Sequence, residues 1–103
     1  MKKILFTLIF TLSYILGFSQ YPINLTSSNI TSNNADLSWD NGGCPAGSYI
    51  LRYRESGAAW NQNSPITIAN TGSSQTHPLS GLTASITYNW RIKCGSSGIW
   101  EYG

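Results

Sequence analysis

The sequence predicts an all-β chain folded as a sandwich or barrel. Three observations carry that class. Short stretches of alternating apolar and polar residues recur from residue 22 to residue 94. Turn-forming clusters separate them, namely "NGGCPAG", "SGA", "NTGSS", "GLTAS" and "GSSG". No stretch beyond residue 20 keeps a helical period, and several short strands at regular spacing with turns between them are the pattern of a sandwich or barrel.

In chain order the strand-like pieces are "PINLTSSNIT", "ADLSWD", "SYILRYRE", "AAWNQ", "ITIAN", "THPLSGL" and "TYNWRIKC". Side chains alternate across a strand, so parity assigns the buried face. In the second piece Ala35, Leu37 and Trp39 face in, with Asp36 and Ser38 out. In the third, Tyr49, Leu51 and Tyr53 face in while Ile50, Arg52 and Arg54 face out. In the last, Tyr88, Trp90, Ile92 and Cys94 face in while Asn89, Arg91 and Lys93 face out. Pro78 in "THPLSGL" donates no backbone N–H, which suits an edge strand. No repeat and no linker divides the chain.

Residues 1–19 are read apart from the fold. Lys2 and Lys3 precede the apolar run "ILFTLIFTLSYILG", and the small residues Gly17 and Ser19 follow. That is the layout of a secretory signal peptide. A spanning helix needs roughly 20 apolar residues, and this run is shorter and turns polar at once. An uncleaved anchor is the competing reading. Cleavage before Gln20 would expose no cysteine for a lipid. The exported domain then spans 20–103, at the cell surface or secreted.

Removing the leader changes the charge. The formal net charge of +2 rests on Lys2 and Lys3. What remains is Arg52, Arg54, Arg91 and Lys93 against Asp36, Asp40, Glu55 and Glu101, a neutral balance. Bulk attraction to nucleic acid has no support, and no membrane insertion is expected once the leader is cut. A domain this small is marginal without a staple. Two cysteines in an exported chain, Cys44 and Cys94, read as one disulfide. The competing metal reading lacks a zinc spacing, since only His77 could join them.

The order of motifs resembles a fibronectin type III domain. The pieces are Pro22-x-Asn24-Leu25, Ala35-x-Leu37-x-Trp39, Tyr49-x-Leu51-x-Tyr53-Arg54, Trp60, Leu79-x-Gly81-Leu82 and Thr87-Tyr88-x-Trp90-x-Ile92. The resemblance runs from Pro22 to about Trp100. It implies an immunoglobulin-like two-sheet sandwich with these pieces as strands A, B, C, C′, E and F, and with "ITIAN" as the segment leading toward E. It makes Tyr88 the tyrosine corner, bonded to backbone before strand F. It places Cys44 and Cys94 at one end of the sandwich. After Cys94 only a short or incomplete last strand around "IWEYG" fits, so either the chain is a clipped piece of a longer protein or strand F has an unusually exposed edge.

Catalysis is poorly supplied. A hydrolytic triad needs converging nucleophile, base and orienting group. The resemblance puts His77 at an inward aromatic position, a structural place, and both cysteines are paired. Asn24 and Asn29 each open an N-x-T triplet, read as incidental. No enzyme activity and no cofactor are expected. Binding is the better class. Strands C and F are neighbours in the family, so Arg52, Arg54, Arg91 and Lys93 share one face, with Trp100 beside them. Related domains stack a tryptophan there between arginines. The face is either a structural ladder or a site for an anionic glycan or a partner protein. Two functions therefore stand: a non-catalytic spacer or interaction module at the amino-terminal part of a larger secreted protein, or a glycan-binding accessory module of a secreted enzyme.

Overall fold

A computed structural model describes residues 21–95 and 99–103. The leader expected over 1–19 and the centre of the last loop, 96–98, lie outside the described residues. Among the described residues, seven strands form two antiparallel sheets. They are β1 (Ile23–Ser28), β2 (Ala35–Asp40), β3 (Gly47–Glu55), β4 (Ile66–Asn70), β5 (Gln75–Leu79), β6 (Tyr88–Cys94) and β7 (Glu101–Tyr102). One sheet has the order β1-β2-β5 and the other β4-β3-β6-β7.

The inward parity is as the alternation dictates. Leu37, Trp39, Tyr49, Leu51, Trp90 and Ile92 form the core between the sheets, and Tyr49, Leu51 and Ile92 are 0% exposed. Trp39 sets its ring edge-on to Tyr49, 5.3 Å between centroids, and lies 6.4 Å from Trp90. A buried phenol needs a partner. The Tyr49 hydroxyl donates to Asn70 Oδ1 at 3.2 Å and accepts from Asn41 Nδ2 at 3.1 Å.

That amide cluster also holds the disulfide end. Asn70 Nδ2 donates to Pro45 O at 2.9 Å and Gly43 N donates to Asn41 Oδ1 at 3.0 Å. Cys44 and Cys94 are bonded, with Cα atoms 5.6 Å apart, and tie the loop before β3 to the end of β6. At the other end Tyr88 is the expected corner: its hydroxyl accepts Thr83 N–H at 2.8 Å.

One strand assignment is corrected. "AAWNQ" is a turn, closed by Ala58 N–H to Glu55 O and Gln62 N–H to Ala59 O. The neighbour of β3 is "ITIAN", with Tyr49 opposite Ile68 and Leu51 opposite Ile66. Ile66 and Ile68 share the inward parity and pack against the core, whereas "AAWNQ" offers one large side chain and turns it outward. The turn still serves β3. Asn63 Nδ2 donates to Tyr53 O at 3.2 Å, and Gln62 Oε1 accepts Glu55 N–H at 2.8 Å, where β4 no longer reaches.

The two N-x-T asparagines have a backbone role that the triplets do not reveal. Asn24 and Asn29 have φ of 54° and 47°, the left-handed region that asparagine tolerates better than most residues. Each is anchored to an aspartate on β2: Asn24 Nδ2 to Asp40 Oδ2 at 2.7 Å and Asn29 Nδ2 to Asp36 Oδ2 at 2.9 Å.

Candidate functional site

The outer face of the four-stranded sheet gathers the four cationic side chains. Pairing of β3 with β6 sets Arg52 directly opposite Arg91, Ile50 opposite Lys93 and Arg54 opposite Asn89. Like charges facing each other across strands are destabilising, and no acidic residue shares this parity on β3 or β6. The chain resolves the conflict by sending the two arginines to different partners.

Arg52 turns to the 56–65 loop, where its Nη1 donates to Trp60 O at 3.2 Å and Asn63 O at 3.3 Å. Arg91 lies between two indoles, 4.4 Å from the Trp60 centroid and 4.1 Å from that of Trp100. Arg54 covers Trp60 at 4.1 Å, and Lys93 Nζ is 5.0 Å from Trp100. The stack therefore reads Arg54, Trp60, Arg91, Trp100, Lys93. Its edge is fastened by Arg54 Nη1 to Ala58 O at 2.8 Å and by Tyr102, whose ring meets Trp60 edge-on at 5.9 Å.

Trp100 stands one residue before β7, beside the cations as expected. Trp60 is the member that the sequence hid. The turn at 56–65, where the sequence reads a strand, sets it over the arginines. The Nε atoms of Arg54 and Arg91 are buried and have no hydrogen-bond partner. A guanidinium covered this way has lost part of the flat donor fork that grips carboxylate or sulfate.

Among the described residues, the remaining acidic and histidine side chains stand apart from one another. His77 is half-buried on the inward parity of β5, opposite Leu37. Among the described residues no three of His, Cys, Asp and Glu cluster as a metal site. A cleft of about 280 Å³ opens between the sheets at the Tyr88 end, lined by apolar residues such as Ile30, Leu37, Leu79, Leu82, Ile86 and Trp90.

Fold and face together define a disulfide-stapled β-sandwich module with a very short last strand. The sequence profile described as fibronectin type III domain matches residues 20–101, and the chain belongs to the fibronectin type III family. No curated protein matches the sequence. Solved structures share the fold at low identity. A computationally redesigned β-sandwich protein is 19% identical with a TM-score of 0.65, covering 82% of this chain and 82% of that one. The fn3 domain of human contactin 1 is 15% identical with a TM-score of 0.64, over 82% and 76%. The fn3 domain of human collagen alpha-1(XX) is 19% identical with a TM-score of 0.63, over 84% and 85%.

Proposed function

We propose that this chain is an extracellular spacer and interaction module, the amino-terminal part of a larger secreted protein. The observation that carries the spacer reading is the state of the cationic face. Arg52 and Arg54 are bound to loop carbonyls, Arg91 is sandwiched by two indoles, and the Nε atoms of Arg54 and Arg91 are buried. They act as braces that clamp the 56–65 loop and the start of β7 onto the sheet. Export is supported by the leader pattern of residues 1–19 and by the Cys44–Cys94 bond, which suits an oxidising compartment.

The second reading, a glycan-binding accessory module, draws on one feature: positive charge concentrated on a sheet face with no acidic residue in register. Titration with sulfated and carboxylated glycans separates the two. The spacer reading expects no saturable binding at physiological salt, and expects Arg52→Ala with Arg91→Ala to lower stability. Saturable binding that this double variant abolishes while folding is unchanged establishes the glycan reading instead. The reading frame downstream of Gly103 gives a further check, since more sandwich domains favour the spacer and a catalytic domain favours the accessory role.

A further inference from the structure

We propose that β4 is a self-pairing edge: two copies of this chain join antiparallel through it, with Thr67 of each on the two-fold axis. The interface goes beyond the spacer reading and uses neither the cationic stack nor the apolar cleft.

Sheet edges of natural proteins are blocked against pairing by bulges, prolines, charges or brevity. Three of the four edges here carry such a device. β1 has an irregular register between Ile23 and Thr26, with Asn24 in the left-handed region. β5 contains Pro78, and β7 is two residues long. β4 is five residues, "ITIAN", with no proline and no charge. Indeed no Asp, Glu, Lys or Arg occurs from Ser56 to Thr76, so two copies meeting there bring no like charges together.

The free groups of β4 follow from the ladder. Gly95 N–H donates to Ser48 O at 2.6 Å, so the even residues of β3 bond toward β6 and the odd ones toward β4. Leu51, Tyr49 and Gly47 therefore bond with Ile66, Ile68 and Asn70. Thr67 and Ala69 then point their backbone groups away from the sheet. Gln75 agrees with that direction: its Nε2 donates to Ala69 O at 2.8 Å and its Oε1 accepts Thr71 N–H at 3.0 Å. Among the described residues, Thr67 N–H, Thr67 C=O and Ala69 N–H remain open on this edge.

These groups complement their own copy in one register. With Thr67 opposite Thr67 of the second copy, the two residues exchange both bonds. Ala69 N–H then faces the carbonyl of Pro65 in the copy. The return bond would need a proline N–H, which does not exist, and its acceptor, Ala69 O, is already filled by Gln75. Every other pairing of the outward residues fails. Thr67 opposite Ala69, or Ala69 opposite Ala69, directs an N–H at the filled Ala69 carbonyl; Thr67 opposite Pro65 leaves Thr67 O without its donor. In the matching register Ile66 lies across from Ile68 of the copy on the inner face, an apolar cross-strand pair.

Sedimentation velocity of the purified chain from micromolar to millimolar concentration tests the pairing. The expected result is a rise in apparent mass to twice that of the chain, lost in Thr67→Lys and in Ala69→Lys, both of which keep the strand content and cooperative unfolding of the parent. Thr67→Cys should cross-link to its copy under mild oxidation, because hydrogen-bonded antiparallel partners stand about 5.5 Å apart at Cα, within disulfide reach. Thr26→Cys, on the β1 edge, should not. A chain that stays monomeric at millimolar concentration overturns the proposal. So does a dimer that survives both lysine variants, or cross-linking through Thr26→Cys as complete as through Thr67→Cys. A monomer whose mass rises only with an added extended peptide assigns the edge to a foreign strand, and likewise overturns self-pairing.

Discussion

Arg91 rests its guanidinium 4.4 Å above the ring of Trp60, although one belongs to β6 and the other to the turn after β3. The same ring holds Arg54 on its other contact, at 4.1 Å. Trp60→Ala therefore removes two cation–π contacts at once, each worth about 0.5 to 2 kcal/mol. The expected loss of stability is about 1 to 3 kcal/mol in urea unfolding. Trp60→Phe should recover part of it, since a smaller aromatic face remains. An unchanged midpoint in Trp60→Ala would show that the stack is ornament on a sheet that stands without it.

Trp39 is the core residue most exposed to test. It is 1% accessible and packs on Tyr49 and Trp90. Trp39→Ala should cost about 3 to 5 kcal/mol through the cavity it leaves, close to the whole stability of a small domain. Its Nε1 is buried without a partner, so Trp39→Phe deletes an unsatisfied donor along with volume and should cost clearly less. Arg52→Ala, on the outward parity, loses two hydrogen bonds to loop carbonyls and should cost about 1 kcal/mol. Equal losses from Trp39→Ala and Arg52→Ala would refute the inward–outward assignment.

The face of each long strand was legible because one physical rule, alternation, acts on every residue of β2, β3 and β6. The disulfide and the corner at Tyr88 were legible because each depends on one residue type at one place. The turn at 56–65 was not. Its identity rests on Gln62 and Asn63 side chains replacing ladder bonds on β3, and a side-chain amide that imitates a strand leaves no period to read. The same disguise hides Trp60, and with it the second rung of the stack. Likewise the aspartate partners of Asn24 and Asn29 lie on another strand, so the triplets alone gave no sign of them.

The Cys44–Cys94 bond closes a loop of 50 residues. The chain-entropy relation gives a staple of that span about 4 kcal/mol. Reduction should lower the thermal midpoint markedly, and Cys44→Ala with Cys94→Ala should reproduce the reduced protein. The amide cluster of Asn41, Asn70 and Tyr49 sits beside the staple. Amide hydrogen exchange after reduction should therefore accelerate first in the loop before β3, ahead of the Tyr88 end. Uniform acceleration along the chain would mean that the bond restrains only the unfolded state.

Asp40 joins three segments in the acid range. Its carboxylate accepts Asn24 Nδ2 at 2.7 Å from β1, and Ser74 Oγ from the turn before β5. The bond from Asn24 first, and that from Ser74 second, favour the charged form and hold its pKa below the ordinary value of 3.8, against a small opposing effect of burial. The folded chain thus binds this proton more weakly than the unfolded chain. The stabilisation is fully present above the ordinary aspartate value and is lost as pH falls through it toward the lower folded value. Asn24→Gly keeps a residue at ease at φ of 54° while deleting the principal donor. The urea midpoint of the parent, followed from about pH 6 down to about pH 2, should fall more steeply at the acid end than that of Asn24→Gly. Asp40→Asn should flatten the same limb and start lower at neutral pH. Because these are short hydrogen bonds from neutral donors rather than distant charge pairs, added salt should leave them in place and reduce the difference only modestly. Parallel acid limbs for parent, Asn24→Gly and Asp40→Asn would refute the role given to this carboxylate in fastening β1 and the turn before β5 to β2.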